Sequence, residues 1–235
     1  MKDKLINILK LLFNVLLFFI VGTITKNILD ILNLNIDSEM RLILLQLISS
    51  IIIFVLLFIV YYKDIKKEFK VFNKNKKDKI IKIIKLFLLF IVVKYAISFI
   101  TAIIMMILKL DMNSITSVNQ ELIETYIKRA PLLMAISTSL LAPIYEELLF
   151  RLGFKKVFGN NMLFVVISGT LFGLLHVFPL EEGISLTLGI VQSISYVSMG
   201  IFLAYVYKKY NNIYYSIGIH FLNNFISILT MINMI

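Results

Sequence analysis

Several runs of about 20 apolar residues constrain this 235-residue chain more than any other feature. A run of that length crosses the hydrocarbon core of a bilayer as a helix, because a helix satisfies its backbone hydrogen bonds internally. The composition agrees, since 60% of the residues are hydrophobic and only 16% are charged. The sequence therefore predicts an all-α, polytopic membrane helix bundle and argues against a soluble domain.

The apolar runs predict about seven transmembrane helices, or eight if one further span forms. The predicted spans cover residues 5–25, 42–62, 86–108, 131–158, 162–178, 184–207 and 213–231. A short interfacial helix is expected over 119–128. We divide the single membrane domain into an N-terminal part, 1–130, with membrane helices and a basic loop, and a C-terminal helix core, 131–235.

The charged residues predict the orientation of the chain in the membrane. The formal net charge is +10, and the segment 63–85 holds ten lysines against three acidic residues. Because this segment lies between two spans and lacks glycine and arginine, we interpret it as a cytoplasmic loop that follows the positive-inside rule, with no nucleic-acid partner. Alternation then places the N-terminus in the cytoplasm, and Glu181 and Glu182 on the opposite side of the membrane. The chain has no cysteine, which excludes disulfides and thiolate metal sites.

Two adjacent carboxylates and an arginine interrupt the fourth predicted span, where charges are costly unless they pair or react. Glu147 and Arg151 are four residues apart and share a helix face, whereas Glu146 is rotated by about 100° from Glu147. We predict that Glu146 carries out chemistry and that Glu147, with Arg151, holds it in place. A buried structural ion pair with one additional glutamate is the alternative.

The two histidines of the chain, His176 and His220, both fall in predicted spans. If the fourth and fifth helices turn near residues 159–160, Glu146 and His176 lie about 20 Å and 24 Å from that turn, at similar depth. A pair of glycines below His176, Gly169 and Gly173, permits a close helix approach. His220 and Asn224 share one face of the seventh helix.

Such a set of side chains suits hydrolysis of an amide bond. A glutamate in apolar surroundings can act as a general base on water, and a histidine can share that water or bind a metal. His220 and Asn224 can donate hydrogen bonds to a developing oxyanion. Because two histidines and one glutamate also form a known Zn²⁺ ligand set, the residues leave a metal-dependent and a metal-free site open.

Three motifs in this order resemble the CAAX-protease and bacteriocin-processing family of intramembrane proteases, also called the CPBP or Abi family. The motifs are Glu146-Glu147-x-x-x-Arg151, Phe172-x-x-x-His176 and His220-x-x-x-Asn224. The resemblance implies a membrane endopeptidase with a buried polar cavity, in which residues 131–235 form the catalytic helix core. The chain departs from the family in two respects. Seven spans are predicted, against eight in eukaryotic members, and Leu152 stands where many members have glycine.

The resemblance also implies a role for each motif residue. Glu146 and His176 would activate water, while His220 and Asn224 would stabilise the oxyanion. Glu147 would support Glu146, and Arg151 would hold the motif together. Members of the family are labelled metalloproteases, although a metal-free, glutamate-based mechanism is also proposed. If Zn²⁺ is used, Glu146, His176 and His220 are the expected ligands.

The abundance of lysine, isoleucine and asparagine indicates a bacterial source, so a bacteriocin or another membrane-associated peptide or protein is the expected substrate. The expected partners are this substrate and the lipid bilayer. One alternative is a non-proteolytic membrane protein that confers self-immunity to a bacteriocin. Another is a transporter with Lys94, Glu146 and His176 along an ion path, which the lack of internal repeats disfavours.

Overall fold

The computed structural model describes residues 2–115, 118–180 and 184–233. Throughout these ranges the fold is helical, and the described residues contain no strand. Eight helices are numbered here in chain order, with one 3₁₀ turn at Met112–Ile115. They are α1 (Lys2–Ile31), α2 (Ser38–Asn73), α3 (Lys76–Ile107), α4 (Val118–Arg129), α5 (Pro131–Phe158), α6 (Met162–Leu175), α7 (Leu186–Tyr210) and α8 (Ile213–Asn233).

The polytopic helix bundle predicted from the apolar runs is confirmed. Within the described ranges, α1, α2, α3, α5, α7 and α8 are long and apolar enough to cross a membrane. The remaining apolar helix, α6, has 14 residues. At 1.5 Å per residue it extends about 21 Å, less than the roughly 30 Å hydrocarbon core. The seven predicted spans are thus six long helices and one short one.

The lysine-rich segment 63–85 is mostly helical, so its interpretation as a loop was wrong. Helix α2 continues to Asn73 and α3 begins at Lys76, leaving only two residues for the turn. Lysine is a good helix former, and its long side chains extend readily into water from helices that continue beyond an apolar core. The turn uses Asn75 in the left-handed conformation, φ 57°. The prediction for Glu181 and Glu182 lies outside the described residues.

Polar side chains fix where several helices begin. Asp37 accepts a hydrogen bond from the Met40 N–H at the start of α2, 2.8 Å away. Its other carboxylate oxygen pairs with Arg129 at the end of α4, 2.7 Å away. The Met40 N–H and the Arg129 guanidinium hold the pKa of Asp37 below its usual value. Asn161 caps α6 by accepting from the Phe164 N–H, at 3.0 Å.

Helix α8 is fixed at its first residue by a carboxylate of α2. Glu68 accepts hydrogen bonds from the Ile213 N–H at 2.6 Å and from the Tyr207 hydroxyl at 2.9 Å. The Asn212 side-chain amide donates to the Glu68 carbonyl oxygen, at 2.8 Å. A carboxylate is favourable at a helix N-terminus, which explains its position at the start of α8. Together, the three hydrogen bonds tie α2, α7 and α8 to one another at one end of the bundle.

Helices α6 and α7 pack with almost no space between their backbones. A Cβ atom on Gly169 would lie 2.5 Å from the Ile201 nitrogen, and one on Gly173 would collide with the Val197 backbone. On the other side, a Cβ on Gly200 would lie 2.5 Å from the Gly169 oxygen. The close approach predicted for Gly169 and Gly173 is confirmed, and α7 is the helix that they contact.

The substitution Gly173→Ala is expected to destabilise the bundle by about 1–3 kcal/mol, because the new methyl group must push α6 away from the α7 backbone. His176 lies just beyond α6, so we also expect cleavage activity to fall. Gly22→Ala is the matched control, since nothing lies within 4 Å of the added Cβ there. Thermal unfolding in detergent would measure the stability of both variants. Equal melting temperatures would contradict the close packing of α6 against α7 as the cause of the destabilisation.

Candidate active site

Helix α5 carries the glutamate pair and departs twice from regular α-helical geometry. Two wider, π-helical segments, Ala135–Leu141 and Glu147–Gly153, flank the short α-helical stretch Ala142–Glu146. Pro143 lies in that stretch and has no backbone N–H to donate. π-Helical segments are rare and often occur at functional sites. The second one begins at Glu147, so the two glutamates stand where the helix changes its winding.

Glu147 and Arg151 form the predicted ion pair, which is therefore confirmed. Arg151 Nε lies 3.1 Å from Glu147 Oε2, and both side chains are 0% exposed. The N–H is not aimed at that oxygen, so charge attraction holds the pair more than a linear hydrogen bond does. Arg151 Nη1 also donates to Ser168 Oγ at 3.3 Å, and its guanidinium lies 4.5 Å from the centre of the Phe172 ring.

His220 lies between the two glutamates. Its Nδ1 is 3.1 Å from Glu147 Oε1, and its Nε2 is 3.7 Å from Glu146 Oε2. The Glu146 side chain is 12% exposed, whereas that of Glu147 is fully buried. Glu147 thus connects Arg151 to His220, and Glu146 is the carboxylate that remains accessible.

His176 is held by the C-terminal end of α6 and by α7. Its Nδ1 lies 2.8 Å from the Phe172 carbonyl oxygen, and its ring stacks on Tyr196 with 5.0 Å between centroids. A carbonyl oxygen only accepts, so Nδ1 must carry the hydrogen in this contact. In the neutral ring, Nε2 is then left as a hydrogen-bond acceptor.

A chain of amide hydrogen bonds orients Asn224. Its Nδ2 donates to the Thr138 carbonyl oxygen of α5 at 3.0 Å, and its Oδ1 accepts from Asn223 Nδ2 at 3.0 Å. Asn223 Oδ1 in turn accepts from the ammonium of Lys94 on α3, also at 3.0 Å. Because a primary amide has two N–H groups, Asn224 retains a second donor beyond the one used on Thr138.

A cavity of about 590 Å³ brings four of the six predicted site residues together. Its described lining includes Glu146, His176, His220 and Asn224. The buried ion pair of Glu147 and Arg151 is not part of that lining. The predicted site thus divides into four residues at the cavity and two behind it. The roles assigned to these residues stay predictions.

The predicted Zn²⁺ ligands do not form a three-ligand cluster in this arrangement. Among the described residues, no group of three His, Asp or Glu side chains is placed to hold a metal ion. His220 also has both ring nitrogens facing carboxylates. Zn²⁺ binding stays a prediction.

Residues 128–226 match the family described as type II CAAX prenyl endopeptidase Rce1-like. This segment belongs to the CAAX protease family. It accounts for somewhat under half of the chain. The CAAX protease segment includes all six predicted site residues, whereas Lys94 lies outside it. Searches of curated proteins and of solved structures found no match.

The family match and the long apolar helices together indicate a multi-pass membrane protein that carries a CAAX-protease-like segment. Several contacts of this site could not be predicted from the sequence. Ser168 and Phe172 contact Arg151, and Tyr196 stacks on His176. Phe172 was marked by its motif with His176 but not as a partner of Arg151, and nothing in the sequence distinguishes Ser168 or Tyr196 from other serines and tyrosines of membrane helices. Lys94 was visible as a charge inside an apolar run, but its partner Asn223 was not.

Proposed function

We propose that the chain hydrolyses a peptide bond of a membrane-associated peptide or protein, with Glu146 as the general base. The observation that carries this proposal is the difference between the two adjacent glutamates. Glu147 is enclosed by Arg151 and His220, whereas Glu146 opens onto the cavity shared with His176 and Asn224. A carboxylate without a cationic arginine partner is better able to take a proton from water.

In the proposed reaction, a water molecule lies between Glu146 and His176. Glu146 removes one proton, Nε2 of His176 accepts a hydrogen bond from the other, and the water oxygen attacks the carbonyl carbon of the substrate. The proton held by Glu146 then passes to the amide nitrogen as the carbon–nitrogen bond breaks. The products are a new carboxyl group and a new amine, and Glu146 returns to its starting state.

The oxyanion of this reaction would be stabilised from α8. Asn224 offers its second N–H. His220 would donate Nδ1–H to Glu147 and Nε2–H to the oxyanion, which requires the imidazolium form with a hydrogen on both ring nitrogens. Glu147 would fix the orientation of His220 through Nδ1, as carboxylates commonly do for functional histidines. Arg151 would compensate the buried charge of Glu147 and so preserve this orientation.

Removal of divalent metal ions is expected to leave the cleavage rate unchanged, because each proposed step uses side chains of the chain alone. The measurement compares cleavage by the purified protein after treatment with 1,10-phenanthroline and with the non-chelating 1,7-isomer. Loss of activity with the chelator alone, restored by Zn²⁺, would contradict the metal-free mechanism and support Glu146, His176 and His220 as ligands.

The substrate class that we propose is a bacterial peptide precursor, such as a bacteriocin or a peptide signal. The test compares membrane and secreted peptides from cells that carry the wild type or Glu146→Gln at equal protein level. A precursor that accumulates only with the variant would support the proposal and identify the substrate. Identical peptide profiles, together with a phenotype in a deletion strain, would instead support a non-proteolytic immunity role.

We further propose that the lysine-rich ends of α2 and α3 lie in the cytoplasm, together with the N-terminus. The chain has no cysteine, so a single introduced cysteine is the only thiol that can be labelled. The Lys70→Cys variant is expected to react with a membrane-impermeant maleimide in inside-out vesicles and not in intact cells. Labelling in intact cells would contradict this orientation.

A further inference from the structure

Lys94 places a cationic group in the proposed catalytic cavity. It lies on α3, outside the CAAX protease segment, and its side chain lines the cavity with Glu146, His176 and His220. Among the described lining residues it is the only lysine or arginine. The cavity therefore has one ammonium group contributed by a helix that the family match does not include.

The described residues leave this ammonium without a carboxylate partner. Lys94 forms no ion pair in the part of the chain that the structure describes, and its one hydrogen bond goes to the neutral Asn223 amide. An ammonium group has three donors, so two are left for another acceptor. A charge within a membrane protein is costly unless it is paired or functional, which points to an anion supplied by a ligand.

The position of Lys94 relates this anion to the reacting bond. Its partner Asn223 directly precedes Asn224 and is three residues from His220 on α8, an axial separation of about 4.5 Å. The ammonium is therefore near the proposed oxyanion site, and an extended peptide covers about 3.3 Å per residue. A substrate group bound by Lys94 would therefore belong to the same short stretch of peptide as the cleaved bond.

We propose that Lys94 binds a carboxylate of the substrate, either its C-terminal carboxylate or the side chain of an aspartate or glutamate near the cleaved bond. This assignment rests on the proposed proteolytic function. The Glu146 carboxylate repels a second carboxylate, while the Lys94 ammonium attracts it, so the two charges would set the direction in which the peptide enters the cavity. Lys94 is a substrate-binding residue in this scheme and takes no part in proton transfer.

The test uses the full chain in lipid nanodiscs and a mixture of apolar synthetic peptides. Each peptide is made with a free C-terminal carboxylate, with a C-terminal amide, and as an amide with one internal glutamate. Mass spectrometry measures the cleavage rates. We expect the wild type to cleave at least one carboxylate-containing version about tenfold faster than the plain amide, because charge-assisted hydrogen bonds are strong. Which of the two versions is preferred identifies the source of the carboxylate.

Variants at Lys94 separate its charge from its structural contact. Lys94→Gln retains an N–H donor toward Asn223 and is expected to lose the preference for carboxylates, whereas Lys94→Arg is expected to retain it. Lys85→Met is the control, since Lys85 is an exposed lysine on the same helix. If Lys94→Gln does not fold, a wild type that shows no preference still overturns the assignment.

The outcomes distinguish this inference from the function on which it rests. Cleavage that requires Glu146 but is equally fast for all three peptide versions would overturn the role of Lys94 without contradicting the proposed proteolytic function. A preference for carboxylate-containing peptides that persists in Lys94→Gln would have the same meaning. If Glu146→Gln cleaves as fast as the wild type, or if the wild type cleaves no version, the proposed function itself fails.

Discussion

Replacing Glu146 by glutamine is expected to reduce the cleavage rate by about 10²–10⁴-fold, the usual contribution of a positioned general base. Glutamine has nearly the same shape as glutamate but does not accept a proton from water. The carboxylate of Glu146 is a poor candidate for a structural role. It lies 3.7 Å from His220, and Arg151 pairs with Glu147 instead. The variant should therefore fold normally, with an unchanged melting temperature.

Glu121→Gln is the matched control for this substitution. Glu121 is an exposed carboxylate on α4, so the same chemical change there should leave the cleavage rate unchanged. Steady-state kinetics on the purified proteins would compare the two variants with the wild type. A folded Glu146→Gln protein that cleaves at the wild-type rate would contradict the assignment of Glu146 as the base.

The double variant Glu146→Gln/His176→Ala tests whether the two residues act on the same water molecule. If they do, replacing His176 in the Glu146→Gln variant should lower the cleavage rate only slightly further, because residues that act as a unit give strongly non-additive rate losses. Rate losses that multiply would instead indicate that His176 acts in a separate step. The result would thus test the proposed mechanism beyond the identity of the base.

The fold could be predicted from the sequence because the bilayer leaves so few alternatives. A run of about 20 apolar residues must become a helix in hydrocarbon, so the six long helices followed from composition alone. The helix ends were predicted less well, and the segment 63–85 shows the reason. Hydropathy marks where the membrane begins, whereas lysine-rich sequence continues a helix into water without any change in backbone.

Contacts within one helix could be predicted, but most contacts between helices could not. The Glu147–Arg151 pair follows from a spacing of four residues and is present in the structure. By contrast, the positions of His220 beside Glu147 and of Lys94 beside Asn223 depend on the rotation and depth of separate helices. A periodic pattern gives the face of a helix but not the residue on the next helix that this face meets.

Arg151→Met is expected to destabilise the protein by about 3–5 kcal/mol, because it leaves the Glu147 carboxylate buried without its cation. Both side chains are 0% exposed, so water cannot replace the lost partner without opening the bundle. Arg41→Met is the control, since the Arg41–Asp30 pair is partly exposed, and such pairs contribute about 0–1 kcal/mol. Unfolding in SDS titrations would measure both, and equal effects would contradict a special cost for the buried charge.

The double variant Glu147→Gln/Arg151→Met separates stability from activity. With both charges removed, no unpaired ion remains in the interior, so the double variant should be more stable than Arg151→Met alone. Cleavage should not recover, because the carboxylate that contacts Nδ1 of His220 is also lost. Recovery of both would show that Glu147 and Arg151 serve the fold alone, whereas recovery of stability without activity would show that Glu147 positions His220 for the reaction.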